Sequence, residues 1–325
     1  MILGIESTAH TFGIALLEKK KFLCNLKSVY TTEKGGIIPI EAAKHHEAIK
    51  EKLLREALKK AKINLEDIKC IAYSHGPGLA PCLLQGLDLA KKIASKLKVP
   101  LVPVNHCIAH LEIGSTTGAK DPVLLYVSGA NTQVIAYAEG KYRVFGETLD
   151  IGIGNFIDSF ARYVGIGFPA GPKIEELAKK SKNFVMLPYT VKGMDVAFSG
   201  LLTNLKQKYD SGNYALEDLA FSLQEVAFAM LIEVAERAMA HLDKKELLLG
   251  GGVACNRRLQ EMAKIMCKER KAKCFIPKAE FLVDNAAMIA WLGQKMFEAG
   301  IQVKANKADI NPYERTDEVE VIWKS

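Results

Sequence analysis

Short apolar runs separated by glycine-rich or polar turns predict a series of β-strands at the start of the chain. Such runs occur in ILGIESTAH, FGIALLE and FLCNLKSVY, between residues 2 and 30. The same order returns in VLLYVSGAN, TQVIAYAEG and KYRVFGETL, residues 123–149, again with Gly, Ser, Thr and Asn in the first turn. Runs of this length between turn residues are typical of strands. We therefore predict that two similar three-stranded units begin at residues 2 and 123.

The parallel between the two halves continues after these strands. IKCIAYSHGPG corresponds to ELLLGGGVA, VPLVPV corresponds to AKCFIP, and two helices are predicted to begin near NHCIAH and VDNAAMIA. In this alignment Asn105-His106 matches Asp284-Asn285. Strands alternating with helices are typical of α/β folds. We predict an α/β protein of two duplicated lobes with a cleft between them, residues 1–119 and 120–325.

The segments that connect the strands have the periodicity of helices. Between residues 40 and 61 the apolar residues fall on one helical stripe. The basic residues of this segment are predicted to lie off that stripe: Lys44, Lys50, Lys52, Arg55 and Lys59. This basic helix is a candidate contact for RNA or a partner protein, although a solvated lysine-rich face has the same pattern. The second half carries the larger, helical insertion, residues 150–245, ending in a long helix from about 215 to 241.

Length and composition add limits to this picture. The 325 residues exceed the roughly 250–300 that one core usually serves, which favours two lobes. No apolar run reaches the roughly 18 residues of a membrane span, and Glu6 interrupts the apolar start that a signal peptide would need, so we expect a cytoplasmic protein. The seven scattered cysteines include no Cys-x-x-Cys pair, against a disulfide framework or a thiolate zinc site. The net charge of +7 favours a polyanionic partner without establishing one.

His106 and His110 lie one helical turn apart in the otherwise apolar segment VNHCIAHLE. At this spacing two side chains project from one face of a helix, with Cβ atoms about 6 Å apart. The pair suits a single metal ion, although two core histidines bonded to the backbone would have the same spacing. The duplication brings Asp284 to the same cleft from the other lobe. Two imidazoles and one carboxylate suit an open-sided iron or zinc site and are too nitrogen-rich for magnesium or calcium.

The histidine spacing also invites comparison with His-Glu-x-x-His metalloproteases. In those enzymes the glutamate after the first histidine is the general base. Here Cys107 holds that position, and Glu112 lies beyond the second histidine. We therefore do not expect a protease.

Two glycine turns, SGANT and GGGVACN, are candidate phosphate contacts. Glycine permits close approach of backbone amides, and the N-terminus of a following helix favours negative charge. Glycine turns also occur for purely geometric reasons. The paired arrangement in the two halves favours the phosphate interpretation.

Ten ordered motifs cover nearly the whole chain. They are GIESTAH, GGIIPIEAAKHH, SHGPGL, NHCIAH, LLYVSGANTQ, GETLDIGIGNFID, FPAGPKIEELA, DVAFSGLLT, LLLGGGVACNRRL and VDNAAMIA. This set closely resembles the tRNA N6-adenosine threonylcarbamoyltransferase family, formerly called O-sialoglycoprotein endopeptidases, in the archaeal and eukaryotic form that is the catalytic subunit of the KEOPS complex. The resemblance implies the ATP-binding fold shared by actin, hexokinase and the Hsp70 ATPase domain, in agreement with the duplication.

The resemblance also implies a set of site residues and cofactors. The family's metal ligands correspond to His106, His110, Tyr126 and Asp284. Its nucleotide contacts correspond to Tyr126, Val127, Ser128, Gly129 and Ala130 on the phosphate side, to Asp158, Gly171 and Glu175 around the ribose, and to Asn256 near the base. The implied cofactors are one iron or zinc ion per subunit, with iron favoured, and ATP, ADP or threonylcarbamoyl-AMP in the cleft, with magnesium as an optional companion.

Some positions depart from the family pattern or are left undecided. The family has a second glycine at Ala130 and an arginine at Ile40. A positive φ at Ala130 would strain the turn by roughly 1–2 kcal/mol, whereas ordinary dihedrals would carry no such cost. Ile40 matters only if the arginine it replaces contacts substrate or a partner. Glu6 and Thr8 lie in the first phosphate-loop equivalent, where a strand end and a catalytic acid are equally good interpretations.

The implied reaction is transfer of a threonylcarbamoyl group from threonylcarbamoyl-AMP to N6 of adenosine 37, in tRNAs that read ANN codons. No protein nucleophile is expected, and no catalytic residue is assigned. The implied partners are the tRNA anticodon loop, a small protein kinase or ATPase on a separate chain, a dimerising subunit, a further small subunit and a separate synthase that supplies the donor; no membrane is involved. A small-molecule kinase and a nucleotide-gated, non-catalytic binding protein of the same fold remain open.

Overall fold

The computed structural model describes residues 1–32 and 37–324. Its strands are β1 Ile2–Glu6, β2 Thr11–Glu18, β3 Lys21–Val29, β4 Cys70–Gly76, β5 Leu101–Asn105, β6 Val123–Val127, β7 Thr132–Ala138, β8 Lys141–Glu147, β9 Val191–Lys192, β10 Asp195–Val196, β11 Glu246–Gly250 and β12 Lys273–Phe275. Its α-helices are α1 Pro39–Ala61, α2 Ala80–Leu97, α3 His106–Glu112, α4 Ile153–Tyr163, α5 Gly171–Ala178, α6 Ser199–Asp210, α7 Leu216–His241, α8 Arg257–Glu269, α9 Ala279–Leu282 and α10 Ala286–Glu298.

The duplication predicted from the strand pattern is present in the sheet topology. The first five-stranded sheet has the order β3-β2-β1-β4-β5, and the second has the order β12-β11-β6-β7-β8. In each, three sequential strands are antiparallel and two later strands join in parallel. Parallel neighbours need a crossover connection, which α1, α2 and α8 provide. Strand β6 is thus the equivalent of β1, and β11 the equivalent of β4.

Helices and sheets alternate in five layers. Helices α1 and α2 cover the outer face of the first sheet, α7 and α8 cover the outer face of the second, and α3 and α10 lie between the sheets. The alternation of side chains along a strand separates these cores. In β1, Leu3 and Ile5 belong to the outer core, whereas Ile2 belongs to the core between the sheets.

Helix α10 follows the strands of the second sheet but packs on the first. Small residues allow this close contact, because a Cβ on Gly4 would lie 2.5 Å from the Ala286 carbonyl oxygen and one on Gly293 would lie 2.2 Å from Cβ of Ala72. The expected boundary between residues 119 and 120 falls in the connection from β5 to β6. This boundary separates the strands of the first sheet from those of the second. Helix α10 belongs to the second part of the chain but packs on the first sheet.

Helices α3 and α10 begin at equivalent caps. The side chain of Asn105 accepts a hydrogen bond from the amide three residues later at 3.1 Å, and that of Asn285 does the same at 3.0 Å. Each bond satisfies a free donor of the first helical turn. Asn105 is therefore equivalent to Asn285, and the predicted match of Asn105-His106 with Asp284-Asn285 is wrong by one residue. Asp284 lies just before the cap.

Helix α1 occupies the predicted segment, but its buried face includes Lys50. This side chain is 6% exposed, and its ammonium donates to Asp88 at 2.7 Å and to Gln85 at 2.8 Å. The prediction that Lys50 lies off the buried face was wrong, because α2 supplies a carboxylate that offsets burial of the charge.

Helix α7 matches the predicted long helix. Among the described residues, no helix has both the length and the apolarity needed to cross a bilayer.

Candidate active site

Four side chains converge between the two sheets. His106 and His110 project from α3, Tyr126 lies near the end of β6, and Asp284 precedes α10. Asp284 Oδ1 lies 3.4 Å from His106 Nε2 and 3.5 Å from His110 Nε2. One ligand atom from each of these three residues lies within 4.8 Å of the others. The Tyr126 ring packs on His110, with ring centroids 5.0 Å apart.

His110 has the properties of a metal ligand rather than of a satisfied core residue. It is 1% exposed, and neither ring nitrogen has a hydrogen-bond partner among the described residues. Its 3.5 Å separation from Asp284 is too long for a strong hydrogen bond. Burial is the main effect on the pKa of His110 and lowers it, which favours the neutral ring. A neutral imidazole with a free lone pair is the form that binds metals.

His106 lies between two carboxylates. Its Nδ1 is 3.1 Å from Glu6 Oε2, and its Nε2 faces Asp284. Burial lowers the pKa of His106, but Glu6 and Asp284 together outweigh burial and raise the pKa well above its usual value. Burial likewise raises the pKa of Asp284, but both histidines outweigh it and hold that pKa well below normal. Cation binding at Nε2 would release the ring proton.

Glu6 and Thr8, which the sequence left undecided, belong to this cluster. Glu6 is fully buried, and its Oε1 accepts hydrogen bonds from the Thr8 amide at 2.7 Å and the Thr8 hydroxyl at 2.5 Å. A carboxylate bonded to the outer nitrogen of a ligating histidine fixes which nitrogen faces the metal. The sequence did contain one signal for this role, because Glu6 ends an apolar strand and a carboxylate is costly to bury without partners.

A cavity of about 700 Å³ opens beside the cluster. Its volume lies in the range of small-ligand sites. The predicted site residues that line it are His106, Tyr126, Ser128, Gly129, Ala130, Asp158 and Asp284. Val127 contributes its side chain to the outer core of the second sheet instead. Asp158 accepts a hydrogen bond from the Ala170 amide at 3.1 Å, and burial raises the pKa of its carboxyl.

The turn after β6 is shaped by close packing against the start of α4. The carbonyl of Ser128 accepts the Gly154 amide at 3.0 Å, and a Cβ on Gly152 would lie 2.4 Å from the carbonyl oxygens of Gly129 and Ala130. The amides of Gly129 and Ala130 donate to no acceptor within the described residues. Ala130 is not among the positive-φ residues of the described chain. The family's missing glycine therefore causes no backbone strain here.

The remaining predicted nucleotide contacts are not among the residues that line this cavity. Gly171 begins α5, and a Cβ there would meet nothing within 4 Å. Glu175 accepts the Arg257 amide at 3.3 Å. Asn256 caps α8 and donates from its side-chain amide to Gln224 at 2.5 Å. The structure thus places Glu175 and Asn256 together where α5, α7 and α8 meet, with the Asn256 side chain already committed to local hydrogen bonds.

Sequence comparisons place the whole chain among known relatives. Residues 23–291 match the family model described as tRNA N6-adenosine threonylcarbamoyltransferase. Curated proteins with that name are 54% identical in Thermococcus sibiricus and 55% identical in Thermococcus kodakarensis, over 321 residues and 99% of each chain. A Methanocaldococcus jannaschii relative, named a probable bifunctional tRNA threonylcarbamoyladenosine biosynthesis protein, is 52% identical over 99% of this chain and 60% of its own length.

Solved structures show the same fold at low identity. HypF from T. kodakarensis superposes with a TM-score of 0.67 at 15% identity over 93% of this chain and 49% of HypF, so the chain spans about half of HypF. The activator of the 2-hydroxyisocaproyl-CoA dehydratase from Clostridium difficile, solved with bound ADPNP, superposes with a TM-score of 0.56 at 11% identity over 95% of this chain and 99% of the activator. The predicted two-lobed α/β class is confirmed. Because more than half of its sequence is shared with full-length relatives of one name, the chain belongs to the tRNA N6-adenosine threonylcarbamoyltransferase family.

Proposed function

We propose that this chain transfers the threonylcarbamoyl group of threonylcarbamoyl-AMP to N6 of adenosine 37 in tRNAs that read ANN codons. The observation that carries the proposal is the His106, His110 and Asp284 cluster opening onto the 700 Å³ cavity. It occurs in a chain that is 55% identical, over 99% of its length, to a relative named for this transfer. Fold alone would not support an activity, because one fold hosts many functions.

The donor adenylate fits the second sheet's side of the cavity. The free amides of Gly129 and Ala130 are available to phosphate oxygens, and they can stabilise the charge that develops on the departing AMP. We assign Asp158, Gly171 and Glu175 to the ribose and Asn256 to the base. Glu175 and Asn256 lie at the junction of α5, α7 and α8 described above.

The donor set fits one iron or zinc ion, with iron favoured. His106, His110, Tyr126 and Asp284 would hold it, and the two unpartnered nitrogens of His110 support this assignment. Such an ion supplies Lewis acidity toward an oxygen of the bound donor. The chain's own part is to hold these ligands rigidly: Glu6 orients the His106 ring, and Tyr126 is buried against the His110 ring.

The acceptor is a weak nucleophile because its lone pair is delocalised into the purine. Catalysis therefore acts on the acyl carbonyl and on the leaving AMP, and no protein nucleophile is required. The anticodon loop is single-stranded, so its base can enter the cavity without opening a duplex. Transfer forms the bond from N6 to the carbamoyl carbon, breaks the bond to the AMP phosphate oxygen, and releases the N6 proton.

We propose a cytoplasmic protein that works with partner subunits. Three relatives with bifunctional names are covered over only 59, 60 and 61% of their length, which supports a second functional unit beside this one. We assign that unit to a small kinase or ATPase. The other proposed partners are a dimerising subunit, a further small subunit and a separate synthase that supplies the donor. Exposed Lys52 and Arg55 on α1 are candidates for RNA contact. Their charge reversal would then flatten the salt dependence of tRNA binding.

The test is transfer of radiolabelled threonine to unmodified tRNA by the purified chain with its partners and synthase. We expect label in a tRNA with adenosine at position 37 and none in a transcript with guanosine there. Unlabelled tRNA, while a related enzyme labels it under the same conditions, would reject the proposal. Sugar phosphorylation by metal-free protein would favour a kinase, and unchanged tRNA modification by His110→Ala would favour a role in nucleotide-gated binding.

A further inference from the structure

The segment that follows α10 is fastened to the carboxyl end of the first sheet. The amide of Asn311 donates to the His75 carbonyl at 2.8 Å, and the Gly78 amide donates to the Pro312 carbonyl at 3.1 Å. A Cβ on Gly76 would lie 1.8 Å from the Asn311 carbonyl oxygen. Gly76 of the SHGPGL motif therefore leaves room for this segment, a role that the proposed transfer chemistry does not itself require.

A partly buried carboxylate connects the same segment to the helix that carries the candidate metal ligands. Glu314 contacts His75 Nδ1 at 3.0 Å and accepts a hydrogen bond from the Asn105 side chain at 2.9 Å. Asn105 is the N-cap of α3, which carries both histidines of the candidate site. The backbone between Asn311 and Glu314 is thus held at both ends. Within it, Pro312 lines the cavity.

Tyr313 lies between these two anchors with its ring in solvent. Its side chain is 90% exposed, the largest exposed fraction among the large hydrophobic residues of the described chain. Pro312, not Tyr313, lines the cavity, and two of the aromatic lining residues, His10 and Phe168, contact each other with ring centroids 5.8 Å apart. The Tyr313 ring has no ring or cation contact with any described residue. A fixed backbone beside the cavity therefore presents an aromatic face that nothing in the described chain covers.

We propose that Tyr313 stacks on an RNA base next to the adenosine that enters the cavity. This inference rests on the proposed function. Single-stranded RNA exposes unstacked base faces, and proteins bind them through aromatic side chains. Anchoring of the segment removes the backbone part of the entropic cost of binding. The positive net charge of the chain, +7, suits a polyanionic partner such as RNA.

The test compares Tyr313→Ala and Tyr313→Phe with wild type in the assembled enzyme. Tyr214→Ala is the matched control, because that ring is 38% exposed on the helical insertion and is already covered by Lys208. Three quantities are measured: the KM for tRNA, the KM for the donor, and the fluorescence of an anticodon stem-loop carrying 2-aminopurine beside position 37. Stacking quenches that fluorescence.

We expect Tyr313→Ala to raise the tRNA KM roughly 5- to 100-fold, the range for loss of one aromatic stack, with the donor KM unchanged. Tyr313→Phe and Tyr214→Ala should behave as wild type, and quenching should disappear only in Tyr313→Ala. Unchanged tRNA KM and quenching in Tyr313→Ala would overturn the inference. So would loss of a protein subunit with intact stem-loop binding, which would assign Tyr313 to a protein contact. If wild type binds the stem-loop but transfers nothing, the proposed function fails while the fluorescence titration still decides the stacking.

Discussion

Glu6 Oε2 lies 3.1 Å from Nδ1 of His106, and both side chains are buried. One comes from the end of β1 and the other begins α3, a hundred residues later along the chain. This contact turns Nε2 of His106 toward Asp284. The carboxylate thus positions the ring without itself reaching the cation site.

Substitution of Glu6 should weaken metal binding. We expect Glu6→Ala to lower iron or zinc affinity about 10- to 100-fold, the usual cost of losing a carboxylate behind a ligating histidine. Metal content after dialysis against graded chelator measures this directly. Glu298→Gln, at an exposed carboxylate on α10, is the control. Equal metal retention in Glu6→Ala and wild type would contradict the positioning role.

Removal of His110 should separate metal binding from folding. Its imidazole nitrogens make no hydrogen bonds within the described residues, so His110→Ala deletes no satisfied polar contact. We expect stoichiometric metal to be lost and transfer to fall at least about 100-fold, since metal-ion polarisation is worth several kcal/mol. Adenylate binding and the circular dichroism spectrum should persist. A metal-replete, fully active variant would remove His110 from the ligand set.

A buried carboxylate between the sheets should make stability fall in acid. Glu112 accepts hydrogen bonds from Lys295 at 2.6 Å, Trp323 at 2.9 Å and the Tyr142 hydroxyl. Burial raises the pKa of Glu112, but Lys295 and these donors outweigh burial and bring it below the ordinary 4.5. Because the folded-state pKa is the lower one, the stabilisation is complete above about pH 4.5 and is lost as pH falls through the folded pKa.

Glu112→Ala should therefore destabilise the protein by about 2–4 kcal/mol at pH 7, because it leaves Lys295 without its buried partner. The difference from wild type should shrink toward pH 3. Urea unfolding midpoints across this pH range provide the measurement, with the exposed Glu139→Ala as control. A destabilisation of the same size at every pH would show that packing, and not the charge of Glu112, is responsible.

A side chain that crowds the turn after β6 should lower the affinity for nucleotide. Gly152→Ala would place a methyl group 2.4 Å from two carbonyl oxygens of that turn, so the backbone must shift. We expect affinity for ADP, measured by calorimetry, to fall at least about tenfold, because the turn amides move from the phosphate. Gly200→Ala, where a Cβ meets nothing within 4 Å, should bind normally. Tight ADP binding by Gly152→Ala would place the phosphate elsewhere.

The two-lobed architecture was predictable because it depends on local patterns. Short apolar runs, glycine turns and helical periodicity occur in the same order in both halves. The strands of the two halves could therefore be matched before any contact was known. The spacing of His106 and His110 likewise follows from the helical repeat alone. The long helix of the insertion was predicted within one residue, since α7 spans Leu216–His241.

Contacts between distant segments had no local pattern to predict them. Lys50 is buried because Asp88 of another helix faces it, and Glu6 meets His106 because two strand ends of one sheet converge. The return of α10 to the first sheet and the fastening of Tyr313 beside the cavity depend on close packing at glycines. Sequence periodicity determined which elements form and how they repeat. Only the tertiary structure decided which buried charges are paired and which side chains share the site, because burial and hydrogen bonding depend on neighbours remote in the chain.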